Sequence, residues 1–415
     1  MAPQPSDDPN DPLNFAFNKK LRIFVITGLG TCIWGATLGP LLNASLADIS
    51  VQLQIPFTDA VIASGYQPLA VGCSIMPVNA LARRWGKRPV FLVSGLLGII
   101  GSAIGAAAAN YHMLVAARLV QGLSGAAYES LALSMIGDLY FVHERGFYMS
   151  IMTFLLASVS NFGSILCGPI TTHLGWKYLF NFLILFGGLQ TLLQFLFVPE
   201  TQFRRDHKYD IDETGKVEIE DVNAAPTGKE LEPQVSVERL LAREPASALF
   251  GSSGVFTTLP VAFCLIMGGY FLSLYVIVAY LLAQFFSPPP YLFNASEVGY
   301  LFAGPFIGGL LASTVLSLVS DPIVKWCVRK NKGVYEPEYR LLLCPVGLVS
   351  VAGFIAWGYV VQQQGSYILA AFLHGMGLFG ITFVLVTTSN YMLDSYRSMS
   401  SEIFLASMCV KNFLI

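Results

Sequence analysis

Eleven apolar stretches run through this chain, and the positive charges between them fall almost wholly on alternate connections. The first six are Leu21 to Leu46, Ala60 to Leu81, Pro89 to Ala109, Met113 to Leu139, Tyr148 to Thr171 and Tyr178 to Val198. Val255 to Phe286, Val298 to Val319, Leu341 to Val361, Tyr367 to Leu393 and Met399 to Ile415 follow. All but the last approach or exceed the roughly 18 to 20 residues a helix needs to cross a bilayer core. In hydrocarbon a spanning segment must satisfy its own backbone polar groups, so these lengths predict an all-α polytopic membrane protein.

The charges orient it. Lys19, Lys20 and Arg22 precede the first stretch, Arg83, Arg84, Lys87 and Arg88 lie between the second and third, and Arg145 lies between the fourth and fifth. Arg204, Arg205 and Lys208 follow the sixth, Lys325, Arg329, Lys330, Lys332 and Arg340 the eighth, and Arg397 the tenth. The opposite connections carry only Lys177. Cytoplasmic loops collect Lys and Arg, so this pattern predicts a cytoplasmic N-terminus. The polar start, Met1 to Phe17, has no basic n-region and reads as a cytoplasmic tail, not a signal peptide.

A chain that is 54% hydrophobic and 12% charged suits lipid, and a net charge of -2 points to no nucleic-acid partner. The seven cysteines include no CxxC pair and read as small core residues, without metal or disulfide. The five histidines lack metal-ligand spacing, and there is no Gly-rich phosphate loop ending in Lys-Ser/Thr. Neither an enzyme nor an ATP-driven pump is expected, and no cofactor beyond a proton gradient. About 100 mV supplies roughly 2.3 kcal/mol per charge, and one pH unit adds about 1.4.

Charged residues mixed with Pro226, Gly228 and Pro233 between positions 199 and 254 cannot bury a core and form a linker. The predicted organisation is a tail (1–20), a six-span half (21–198), a cytoplasmic linker (199–254) and a five-span half (255–415). Two helical halves joined in this way are the plan of a transporter that rocks about a central site. That plan has six spans in each half, so the twelfth is expected to be missing here and transport to be weaker than in an extended chain. Small residues mark close helix packing: Ser160, Gly163, Ser164, Cys167 and Gly168 before Pro169, and Gly304-Pro305 with Gly308 and Gly309. These serve either plain packing or a flexible interface between the halves.

In the fourth stretch Arg118, Gly122, Gly125 and Glu129 are spaced 4, 3 and 4 apart, so they share one helical face. A charge near the bilayer centre costs about 2.5 to 3.5 kcal/mol on insertion scales, so both should face protein or a watery cavity. A carboxylate withdrawn from water tends to take up a proton unless a cation stands in for it. Glu129 is therefore the candidate coupling residue, with a pairing role between helices as the alternative. Arg118 orients polar groups or counters that carboxylate, although about 16 Å of helix rise separates them. Gln67, Gln121, Asn161, Tyr270, Tyr275, His374, Asn390 and Glu402 are further candidates for a substrate cavity, or for hydrogen bonds between helices.

Short phrases add a resemblance. Ala82-Arg83-Arg84-Trp85-Gly86-Lys87-Arg88-Pro89 resembles the basic loop between the second and third helices of the major facilitator superfamily. Arg118-Leu119-Val120-Gln121-Gly122 resembles its Arg-x-x-Gln-Gly motif, and Gly163 with Gly168-Pro169 its antiporter element. Asp11-Pro12-Leu13-Asn14-Phe15, Asp138 to Gly146, Pro199-Glu200-Thr201-Gln202, Gly333 to Leu341 and Lys411-Asn412-Phe413 resemble fungal members of the drug:proton antiporter branch. Where that superfamily has an acidic residue three before Gly86, this chain has Arg83.

The resemblance implies a major facilitator fold of two pseudo-symmetric halves and proton-coupled transport of a small organic compound. Export of a drug or secondary metabolite is one reading and uptake of an amine such as a polyamine another; a transporter-like sensor is a third. It also implies gating roles for Gly86, Lys87, Arg88, Asp138 and Arg145. The expected setting is a monomer in the plasma membrane or the vacuolar membrane, with lipid, protons and a small solute as partners. Asn294-Ala295-Ser296 has glycosylation spacing and should lie on the outer side.

Overall fold

The computed structural model describes residues 8, 11–203, 259–331, 336–395 and 400–414, so all but the first five residues of the expected linker lie outside it. The helices of the first half are α1 (Phe17–Gly30), α2 (Leu46–Leu53), α3 (Phe57–Trp85), α4 (Lys87–Ala106), α5 (Tyr111–Leu139), α6 (Val142–Leu174) and α7 (Lys177–Phe197). The second half contains α8 (Leu259–Phe286), α9 (Ala295–Leu301), α10 (Ala303–Lys330), α11 (Leu348–Gln362), α12 (Tyr367–Ser395) and α13 (Ser400–Leu414). No strand occurs among the described residues. The end carrying Arg83, Arg84, Lys87 and Arg88 is called the basic end below, and the opposite one the far end.

Eight helices among the described residues are long and apolar enough to cross a membrane, and one bent pair makes a ninth. That pair corrects the first predicted stretch, which is not one straight helix. A π turn at Thr31–Ala36 follows α1, with Thr37 Oγ1 donating to the Cys32 carbonyl at 2.7 Å. Pro40, which has no N–H to extend a helix, then opens a 3-10 turn at Pro40–Ser45, and the two parts meet at 50°. The fourth stretch, α5, is less apolar than its neighbours for a physical reason. It is the centre of its half, burying Arg118, Gln121, Tyr128 and Glu129 against protein on several sides, so lipid does not dictate its composition.

Around α5 pack α3, α4, α6 and the π turn, while α7 closes on α4 and α1. Trp34 and Tyr128 are fully buried, and Gln190 ties them together by accepting from Trp34 Nε1 at 3.2 Å and Tyr128 Oη at 3.4 Å. The indole sits where side chains at Gly98 and Gly187 would otherwise be. In the second half α12 packs on α8, α10 and α11. Gly304 and Gly308 lie against the Ala371 and Gly375 carbonyls of α12, so these two glycines serve packing inside one half.

Among the described residues the halves touch where α9 and α10 pack on α6, where α8 and α9 meet the Pro40–Ser45 turn, and where α13 packs on α3. At the far end a Cβ at Gly168 would stand 2.5 Å from the Ala295 carbonyl oxygen, so only glycine lets these backbones meet. Ser296 N and Oγ reach Thr172 Oγ1 at 3.0 and 2.8 Å, and Ser45 Oγ lies 2.6 Å from Thr171 Oγ1. The Gly168 and Ser296 contacts close the halves on each other at the far end, braced within the first half by Ser45 and Thr171. Asn294 caps α9, its side chain accepting from Glu297 N at 3.0 Å, and is itself exposed.

Candidate functional site

Glu129 lies ten residues before the end of α5, about 15 Å from the basic end. Lys411 lies eleven residues after the start of α13, at about the same depth. Because α13 packs on α3 beside α5, the two meet: Lys411 Nζ is 2.9 Å from Glu129 Oε2. Asn412 Nδ2 donates to the same oxygen at 3.3 Å while also donating to the Met408 carbonyl at 2.9 Å. One carboxylate of the first half thus accepts from two side chains of the second. The Glu129 side chain is 9% exposed and that of Lys411 28%, so the acid is the more enclosed member of the pair and the ammonium the more open one.

Arg118 is fully buried near the far end of the same helix. Its Nη2 donates to the Gly39 carbonyl at 3.1 Å and to Ser64 Oγ at 3.4 Å, and its Nη1 to Gln121 Oε1 at 3.2 Å. Tyr280 of α8 lies beside both Ser64 and Arg118. The predicted common face is therefore the one turned toward the broken first helix and α3. The counter-ion of Glu129 is Lys411, however, and Arg118 does not fill that part. Gln121 Nε2 reaches Ser102 Oγ at 3.1 Å, which places Gln121 inside the first half. Gln67 is buried where α3 meets Gly122 and Gly125.

A second inter-half contact lies closer to the far end. Tyr275 Oη of α8 donates to Asn161 Oδ1 of α6, and the Tyr275 ring lies 5.1 Å from that of His374. Three sequence candidates are brought together here and others are not. Tyr270 is 57% exposed and pairs edge-on with Phe271, and Asn390 is half-buried on α12, sixteen residues beyond His374. Glu402 belongs to the first turn of α13 and Arg145 to that of α6, with their side chains outside the described set. Gly163 faces Thr37 of the broken first helix, and α6 continues through Pro169.

At the basic end, Gly86 has φ +96° and breaks the chain between α3 and α4. Glu200 then caps α4: its carboxylate accepts from Lys87 N at 2.9 Å and Arg88 N at 3.1 Å, as well as from Thr201 N and Gln202 N. Lys87 Nζ pairs with Asp138 at the end of α5 and donates to Ser134 Oγ at 2.8 Å, while Arg88 Nη2 donates to the Phe195 carbonyl. The polar start is not wholly a free tail. Asp11 is buried, capping a turn at Pro12–Asn14, and Lys20 Nζ donates to the Leu13 carbonyl at 3.0 Å.

Lys411, Asn412 and Glu200 are the residues sequence reasoning missed as site residues. A lysine inside an apolar stretch is itself a signal by the rule that singled out Glu129.

Two apolar helical halves, joined at the far end and again through the Glu129–Lys411 pair, have the architecture of a membrane-embedded transporter. The chain belongs to the Major Facilitator Superfamily, whose sequence profile matches residues 23–410. Among similar proteins, the MFS-type transporter hepF of Aspergillus oryzae is 26% identical over 98% of this chain and 83% of its own length. The efflux pump radE of Floropilus chiversii is 24% identical, with 98% and 74% covered. Among solved structures, the partially occluded inward-open xylose transporter XylE from E. coli matches with a TM-score of 0.62 at 15% identity, over 96% of this chain and 90% of that one. This last likeness concerns the fold.

Proposed function

We propose that the protein is a proton-coupled exporter of a small organic cation, working as a monomer in the plasma membrane with its basic end in the cytoplasm and Asn294 glycosylated outside. The observation that carries this reading is the single Glu129 carboxylate facing Lys411 and Asn412 of the other half. A carboxylate in that position holds one balancing positive charge at a time: a proton, the ammonium of Lys411 or the solute. Proton and solute that compete for one group are bound alternately, which is the condition for exchange in opposite directions. The name of the relative radE, an efflux pump, agrees with this direction. Lys411 is the resting occupant, and as the more exposed partner it is the one that withdraws when either competitor arrives.

Proteoliposomes holding a pH dye test the proposal. Alkyltrimethylammonium ions added outside should drive protons out through the wild type, and Glu129→Gln should abolish the coupled movement while still reaching the membrane. Protons moving in the same direction as the cation would indicate uptake. Coupled movement that persists in the Gln variant at every pH would assign coupling elsewhere.

A further inference from the structure

His374 is fully buried, and neither Nδ1 nor Nε2 has a hydrogen-bond partner among the described residues. Its ring lies between Tyr275, 5.1 Å away at 32°, and Phe302, 6.2 Å away at 64°. Tyr275 is itself bonded to Asn161, so the imidazole stands beside a contact that parts when the halves separate. The backbone around it offers no relief. The groups of α8, α10 and α12 are used within their own helices, and Gly375 and Gly304 already bring α12 and α10 to backbone contact. Leaving a buried donor or acceptor unmet disfavours a state by about ten- to a hundredfold. The far-end-sealed state therefore holds an unmet polar group at the junction of the halves.

Its position relative to Glu129 can be read along α6. A side chain at Gly35 would meet both Leu156 and Glu129, which puts Leu156 level with the carboxylate. Asn161 is five residues further toward the far end, about 7.5 Å along the axis. A solute bound by its charge at Glu129 and extending toward the far end would reach Asn161, Tyr275 and then His374.

We propose that His374 is the subsite for a neutral donor–acceptor group of the transported cation, a hydroxyl or its equivalent, received as the far-end contacts loosen. A neutral imidazole presents one donor and one acceptor, and a hydroxyl both accepts and donates. Tyr275 and Phe302 form the apolar walls. The proposal rests on the reading that Glu129 holds the solute's charge.

The test is a molecular ruler. Binding of ω-hydroxyalkyltrimethylammonium ions of increasing length is compared with that of alkyl ions of equal size, by calorimetry on the purified full chain. In the wild type the hydroxyl should tighten binding about tenfold at one intermediate length and not at the shortest. His374→Phe should erase that advantage, so that the hydroxylated and alkyl ions of equal size bind it alike at every length.

An advantage at no length, or one that survives both His374→Phe and His374→Leu, overturns the subsite. Glu129→Gln reports on the other reading separately: if both series bind it as well as they bind the wild type, the charge is held elsewhere even where the hydroxyl effect remains. Failure of either series to bind the wild type overturns both. A second measurement needs no solute. Removing the unmet nitrogens should raise the melting temperature of His374→Leu by about 2 to 4 °C, and a fall would show that the imidazole is paired in the sealed state and would refute the proposal.

Discussion

The two members of the Glu129–Lys411 pair should not be equivalent to mutation. At 2.9 Å and an effective dielectric of about 20, Coulomb attraction alone approaches 6 kcal/mol, an upper bound that desolvation and screening reduce. Fully exposed pairs contribute about 0.2 to 1 kcal/mol, and breaking a fully buried one costs about 3 to 5. With one partner 28% and the other 9% exposed, the pair belongs between these limits, on the order of 1 to 3 kcal/mol.

Lys411→Met strands the less exposed member, a carboxylate left with Asn412, so it should lose about 2 kcal/mol. Glu129→Gln strands the more exposed member and keeps an acceptor for Asn412, so its loss should stay below about 1 kcal/mol. The double variant should be more stable than the sum of the single losses predicts, by at least about 1 kcal/mol. Thermal unfolding of the purified protein, at about 2 to 4 °C per kcal/mol, resolves these differences. Equal losses for the two single variants, or additivity within about 0.5 kcal/mol, would refute the assignment of a fixed acid and a mobile base.

Three further substitutions act at the contacts described above. Gly86→Ala places a Cβ 2.3 Å from Glu200 Oε2 in a backbone region almost reserved for glycine, so it should lower stability by about 1 to 3 kcal/mol, read as a fall in melting temperature. Glu200→Ala, which removes the acceptor of two N–H groups at the start of α4, should move stability the same way. Gly168→Val cannot seat the Ala295 carbonyl, so a cysteine introduced at Thr172 should label faster from the far side while transport falls, and unchanged labelling would count against the seal.

The helical class and the approximate run of the spans were legible because lipid imposes a one-dimensional requirement that a hydropathy count can read. The depth of Glu129 and the shared face with Arg118 were legible for a similar reason, since both lie within one helix of known rise. The break in the first span was less so. It depends on Pro40 following a π turn held by Thr37, and a sliding count of apolar residues averages over such local hydrogen bonding. The fourth span shows the reverse case, where a helix surrounded by protein is freed from the apolar composition that identifies its neighbours.

Partnerships between helices are a different kind of information. Lys411 lies 282 residues from Glu129, and helical periodicity fixes the face each presents without fixing which helix stands opposite. What decides it is the packing of α13 on α3, where Gly72 leaves room for Asn412 and Phe413 and where Val71, Ile75, Ala126 and Cys409 form a small apolar cluster. That packing holds the lysine at the depth of the glutamate. The pairing is thus a property of the closed interface, and any movement that separates α13 from α5 must supply Glu129 with another positive charge or leave it unpaired. In the proposed exporter this would be a physical basis for coupling: the interface would open at lower cost once a proton or a cation had taken the place of Lys411.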